Sequence, residues 1–255
     1  MSLHTAAQTG FSSASEKYER GRPEYPAELQ PWLAQQAGIG PGQRVVDLGA
    51  GTGKFTKLLA RSGAHVVAIE PVDAMRERLT QTLPGVQALP GTAEAMPLAP
   101  ASVDVLVCAQ AFHWFANALA LQEMHRVLRP GGKLALVWNV RDESTDWVAA
   151  ITRIITPYEG DAPRFHTGLW RAPFENQTLF TPPQRTVFAH SHVGSFEQVV
   201  IDRFLSVSFI AALDATDKQA VEAQLRALPA TFPALRQATI AFPYRTEAWL
   251  AERIG

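Results

Sequence analysis

The stretch Val45-Val46-Asp47-Leu48-Gly49-Ala50-Gly51-Thr52-Gly53-Lys54-Phe55 decides the fold. An aliphatic run gives way to three spaced glycines and then to a helix-compatible segment. Glycine is costly to order, so three of them at a strand-to-helix turn mark a backbone that bends sharply and brings N–H groups close to a ligand. Working outward, short aliphatic runs recur at Val66-Val67-Ala68-Ile69, Val103-Asp104-Val105-Leu106-Val107-Cys108 and Leu134-Ala135-Leu136-Val137-Trp138. They mostly lack period-2 alternation, the pattern of strands buried on both faces. Between them, Lys54–Ser62, Asp73–Leu83 and Ala118–Leu128 read as helices, the last stopping at Arg129-Pro130-Gly131-Gly132. This alternation predicts an α/β chain built on a doubly wound sheet.

The last hundred residues are organised differently. Thr145–Ile155, Phe196–Leu213 and Asp217–Leu228 have helical character, and Tyr158–Gln184 reads as a long irregular segment of the kind often used as a lid or binding loop. Thr186–Val193 and Thr239–Glu252 supply the last two strands, with Pro243 expected to restrict the latter to an edge or bulge. The chain of 255 residues is 47% hydrophobic and 18% charged, with 23 Lys and Arg against 24 Asp and Glu. That balance argues against a nucleic-acid partner, whose phosphates would demand a basic excess. The single cysteine, Cys108, excludes a disulfide framework. With no apolar span and no signal-like start, a cytoplasmic protein without membrane attachment is expected.

Three ligand classes use such a glycine loop. A Walker A loop needs four residues between its first glycine and Gly-Lys-Ser/Thr, whereas Gly49 and Gly53 enclose three and Phe55 stands where the hydroxyl belongs. A dinucleotide loop needs Gly-x-Gly-x-x-Gly and an apolar strand, but here the pattern is Gly-x-Gly-x-Gly and Asp47 precedes it, where its charge would repel a pyrophosphate. S-adenosylmethionine has no phosphate and carries a sulfonium and an ammonium, so an acid is favourable there.

The chain resembles the class I S-adenosylmethionine-dependent methyltransferases. The resemblance is carried by Asp47-Leu48-Gly49-Ala50-Gly51-Thr52-Gly53, by Glu70-Pro71, and by Gly91-Thr92-Ala93-Glu94-Ala95-Met96-Pro97. It extends through Gln110-Ala111-Phe112-His113-Trp114-Phe115 to Leu128-Arg129-Pro130-Gly131-Gly132-Lys133-Leu134. The Gln-Ala-x-His-Trp-Phe segment and the arm Tyr18-Glu19-Arg20-Gly21-Arg22-Pro23-Glu24-Tyr25-Pro26 are similar to the branch containing trans-aconitate methyltransferase and related small-molecule enzymes.

The resemblance implies a Rossmann-like, seven-stranded sheet, mostly parallel with an antiparallel last strand. It implies an arm and first helix over 1–39 capping the cofactor, a cofactor core over 40–144, and a C-terminal half over 145–255 with a helical lid. Asp47, Gly49, Ala50 and Gly51 would form the cofactor loop, Glu70 would accept both ribose hydroxyls, and Pro71 would pack on the adenine. Ala93 and Glu94 would meet the adenine amine, Gln110 the methionine half, and Tyr18 would close over the cofactor. His113 follows the fourth strand and would either orient an acceptor carboxylate or take a proton from a hydroxyl, the alternative being a packing histidine. Trp114, Trp138 and Asn139 are candidates for the acceptor side, Trp138 equally for the core. His190 and His192 share one strand face but lack a third ligand, so no metal is expected. The reading is methyl transfer to a small-molecule oxygen by a monomer or homodimer. C-methylation of a quinone-type ring and a non-catalytic S-adenosylmethionine-binding protein remain as alternatives.

Overall fold

Four aliphatic runs become parallel neighbours: β1 (Arg44–Leu48), β2 (His65–Ile69), β4 (Val103–Ala109) and β5 (Leu128–Arg141). A computed structural model describes residues 21–255, so Tyr18 and the start of the arm lie outside the described residues. β1 pairs in parallel with β2 and β4, and β4 with β5. A short β3 (Gln87–Leu89), which the sequence reading did not find, extends β2 in parallel. With only three residues and no buried position it carries too little apolar signal to be recognised.

The sheet is completed by β6 (Gln184–Gly194) and β7 (Ile240–Glu252), in the order β3-β2-β1-β4-β5-β7-β6. Amide-to-carbonyl bonds from Arg253 to Gly132 and from Asp142 to Pro243 place β7 antiparallel to β5. β7 is therefore an interior strand, which corrects the expectation drawn from Pro243. An antiparallel residue points its N–H and C=O to the same neighbour. The missing N–H of Pro243 thus faces Asp142, the first residue beyond β5, where the ladder has already ended.

The helix over Ala118–Val127 ends just ahead of the Arg129-Pro130-Gly131-Gly132 stretch, as expected. The stretch lies inside β5 as a bulge, with the register to β4 slipping between the Val103–Leu128 and Val105–Lys133 pairs.

Among the described residues the chain divides into two compact units. The first, residues 27–138, 163–188 and 247–255, holds β1 to β4, most of β5, and the helices α1 (Leu29–Gln35), α2 (Lys54–Ala60), α3 (Asp73–Thr82) and α4 (Ala118–Val127). Its irregular segment contains short 3-10 turns at Phe165–Thr167 and Leu169–Phe174. The second unit, 21–26, 139–162 and 189–246, packs α5 (Asp146–Ile155) and α6 (Ala215–Thr231) around Phe204, Phe242, Ile151 and Val221. The expected helix over 196–213 is instead a π-helical turn, Glu197–Asp202, followed by short α-turns at Arg203–Leu205 and Ser208–Ala211. Among the described residues no helix is long and apolar enough to cross a membrane.

Within the first unit, Glu247 is buried at 4% exposure and accepts a two-pronged bond from Arg185, Nε at 2.8 Å and Nη2 at 2.6 Å. Removing the cation strands a buried carboxylate, a larger loss than that of an exposed pair. Arg185→Met should lower unfolding stability in urea by about 2 kcal/mol, less than the full cost of a broken buried pair because the arginine itself is half exposed.

Candidate active site

The parallel strands β1, β2, β4 and β5 end on one edge of the first unit, and β1 and β4 are adjacent there, at the point where the strand order reverses. Every residue of this site described below, unless stated, belongs to that unit. Gly49 and Gly51 both take left-handed φ, at +71° and +58°. A Cβ on Gly49 would come within 2.7 Å of the Ala111 Cβ, so only glycine lets the loops after β1 and β4 meet. A Cβ on Gly51 would meet nothing nearer than the Met75 sulfur at 3.9 Å, so the constraint there is conformational. Ala50 lies between them and is half-buried.

Glu70 follows β2, and its carboxylate binds backbone. Its Oε2 accepts from the Gly51 N–H at 2.8 Å and its Oε1 from the Val72 N–H at 2.9 Å. It thereby fixes the glycine loop against the turn containing the half-buried Pro71. Each carboxylate oxygen has two lone-pair sites, so each retains one. Burial pushes the Glu70 pKa up, opposed by those two amide bonds and by Arg76.

Asp47 is fully buried near the end of β1. Its Oδ2 accepts from the Thr56 hydroxyl at 2.6 Å, while Oδ1 has no partner among the described residues. Burial raises its pKa to about 7, the Thr56 bond opposing and the charge of Glu70 adding to the rise. An acid in this state suits a ligand that brings positive charge.

Ala93 and Glu94 sit in a tight turn closed by a Thr92–Ala95 bridge. The Glu94 Oε1 accepts from Asn117 Nδ2 at 2.9 Å, and Asn117 Oδ1 caps α4 by accepting from the Ala120 N–H. Asn117 was not singled out from the sequence, although an Asn just ahead of a helical run is a recognisable N-cap. Gln110 directly follows β4 with φ +59°, a strained conformation for a residue with a Cβ. Its N–H still donates to Val137 O at 2.8 Å.

Beyond it, Phe112–Trp114 form a 3-10 turn. His113 Nδ1 accepts from the Trp138 indole N–H at 3.1 Å. An indole can only donate, so Nδ1 must be the unprotonated nitrogen and Nε2 carries the proton. Burial, with Arg164's charge adding, lowers the His113 pKa to about 3. The ring is neutral, and the lone pair a base would need is already engaged. In this state the ring presents Nε2–H as a hydrogen-bond donor.

Trp138 is 1% exposed, its ring 4.7 Å from both Phe165 and Trp170. It is core, and its indole N–H meets His113. Trp114 is half-buried, with the Arg164 guanidinium 5.7 Å from its ring centroid. Asn139 belongs to the second unit, where both ends of its amide are used: Nδ2 donates to Glu24 O, and Oδ1 accepts from Thr246 at 2.6 Å. Its polar atoms are thus committed to structure. Thr56 and Arg164 gave no signal in the sequence, because only the fold brings them to Asp47 and His113.

Residues 46–136 match the methyltransferase domain family. The chain is similar over nearly all its length to a methyltransferase-like protein of Schizosaccharomyces pombe, at 35% identity over 245 residues covering 95% of each chain. It is also similar to a Mycobacterium tuberculosis methyltransferase, at 41% over 240 residues and 92% of each. Among solved structures, the YcgJ protein of Bacillus subtilis superposes with a TM-score of 0.56 at 19% identity, covering 90% of this chain and 100% of that one, a likeness of fold.

The buried acid makes the ligand-free chain pH-sensitive in a defined direction. With the folded pKa of Asp47 raised above its unfolded value, its contribution is fully present below about pH 4 and lost as pH rises through about 7. Urea unfolding of wild type and Asp47→Asn between pH 4 and 8 should show the variant gaining on wild type by on the order of a few kcal/mol across that window. In Gln110→Gly the left-handed strain disappears, so stability should hold or rise by up to about 1 kcal/mol in the same assay.

Proposed function

This chain belongs to the methyltransferases, and from that premise we propose that it transfers the methyl group of S-adenosylmethionine to a carboxylate oxygen of a small-molecule acceptor. The observation that carries the acceptor class is the Trp138–His113 bond, which leaves His113 a neutral donor with its lone pair engaged. A hydroxyl or a carbon acid must lose a proton for transfer to proceed. A carboxylate arrives already ionised and needs only to be held.

The residues fit the cofactor. The unpartnered Oδ1 of Asp47 is an acceptor awaiting a cationic or N–H-bearing group, and it would disfavour a phosphate. Glu70, with one free site on each oxygen, is suited to the two ribose hydroxyls. Gly49, Ala50 and Gly51 allow close backbone approach. Glu94, steadied by Asn117, and the backbone of Ala93 suit the adenine amine, with Pro71 against its ring and Gln110 toward the methionine half. Bound S-adenosylmethionine supplies a methyl group on a positively charged sulfonium, open to in-line attack.

What the protein adds is positioning and exclusion of water. His113 Nε2–H and Trp114 hold the acceptor side, with Arg164 over the Trp114 ring adding positive charge that favours an anionic acceptor. Phe165 and Trp170 pack on Trp138, and Phe112 on Trp170, which steadies the indole that donates to His113.

Release of S-adenosylhomocysteine, measured against panels of small carboxylic acids, phenols and carbon acids, tests the acceptor class. Turnover with carboxylic acids giving base-labile esters is expected, and turnover confined to phenols or carbon acids would sink the proposal. At saturating cofactor, kcat should stay flat between pH 5 and 8, because His113 remains neutral throughout. Glu70→Ala should weaken S-adenosylhomocysteine binding by about 2–4 kcal/mol in calorimetric titration. His113→Phe should leave that affinity near wild type while lowering kcat/KM.

A further inference from the structure

In the second unit Arg203 is buried and Arg141 half-buried, and among the described residues neither is given an ion pair with a carboxylate. Arg203 is 9% exposed, on the short turn that follows the π-helical segment Glu197–Asp202. Its Nε–H donates to the Tyr244 hydroxyl at 3.2 Å, and its Nη1 is buried with no partner among the described residues. Arg141, at the end of β5, is the second cation. The guanidinium carbons of both arginines lie 5.5 Å from the centroid of one ring, that of Phe204, which is fully buried.

Buried arginines are ordinarily neutralised by carboxylates. The described ion pairs of this unit use Arg226 with Glu197 and Glu222, and Arg245 with Asp142. The acids that influence Arg141, Glu143 and Glu159, act on it more weakly than burial and the charge of Arg203, and its pKa is lowered in consequence. Glu143 is itself turned to the Thr152 hydroxyl at 3.0 Å. The two guanidinium groups share one apolar ring and repel each other, and Arg203 has lost most of its water. A group with two or three anionic oxygens relieves both costs, because each planar fork can donate to a separate oxygen. Tyr244 strengthens the arrangement. Its oxygen already accepts from Arg203, so its own proton is left to donate. Arg22, whose Nη2 donates to Ser206 O at 3.3 Å, adds a third cation at the same turn.

We propose that Arg141, Arg203 and Tyr244 form a binding site for a small oxyanion, a carboxylate or phosphate group of a soluble ligand. The site lies wholly within the second unit, and its existence does not depend on the acceptor class proposed above.

Titration calorimetry and thermal unfolding of the full chain, with inorganic phosphate and separately with tricarballylate, test it at ionic strength held constant with chloride. Wild type should bind at least one probe and gain thermal stability. Arg141→Gln and Arg203→Gln should each weaken that binding about tenfold or more, as expected for loss of a charge-assisted bond, while Arg226→Gln, an exposed arginine of the same unit, should not. Binding of tricarballylate alone would identify a carboxylate ligand, and binding of phosphate alone a phosphorylated one. S-adenosylhomocysteine binding by each variant reports that the first unit is intact. Should the glutamine variants fail to fold, Arg141→Lys and Arg203→Lys keep the charge but lose the fork and should still weaken binding severalfold. Absence of binding to wild type, equal loss in Arg226→Gln, or unchanged binding in the lysine variants would overturn the proposal.

Discussion

The Glu70 carboxylate ties two backbone amides from different loops, Gly51 and Val72, to the end of one strand. The Gly49 and Ala50 amides donate to Ile69 O and that of Gly53 to Ala50 O, so Gly51 is the one that turns to Glu70, and a loop with three left-handed glycines has many conformations to lose. One rigid, doubly accepting acid selects among them. The rest of the edge follows from that choice. The chain must then turn without side chains at Gly49, Ala111 is brought against it, and β4 is left to end ahead of Gln110, whose conformation few residues tolerate. The same carboxylate that would read a ligand therefore also builds the surface on which the ligand would lie.

A second constraint organises the far side of the edge. Trp138 is locked between Phe165 and Trp170, so its N–H has one direction in which to point, and His113 supplies the acceptor. A buried indole donor would be costly unpaired. Satisfying it settles the tautomer of the histidine and engages its lone pair, while burial and the Arg164 charge lower its pKa. Aromatic packing, a matter of shape, thus determines proton chemistry two side chains away.

Much of this was legible in the sequence where the signal was local. The glycine spacing, the acid before it and the aliphatic runs at 45–48, 66–69, 103–108 and 134–138 each lie within a few residues, and strands, sheet type and cofactor loop followed from them. Elements whose identity depends on distant partners were not legible. β3 is three residues that become a strand only beside β2. Pro243 reads as an edge signal until the end of β5 is found opposite it. Asn139 and Trp138 carry the composition of a binding site, yet their atoms are committed to Thr246, Glu24 and His113. Arg141 and Arg203, 62 positions apart, gave no pattern at all, since only the fold brings them to one ring.

Asp47 gives the chain a property that belongs to its life in a cell as much as to its chemistry. A protein carrying an uncompensated acid at its centre is at its weakest when empty, and ligands that bind only the folded form stabilise it in proportion to their concentration. The empty form visits unfolded states more often and is the form that proteases clear. The quantity of this protein would accordingly follow the supply of its methyl donor, rising when the donor is plentiful and being thinned by turnover when it is scarce, without any dedicated regulator.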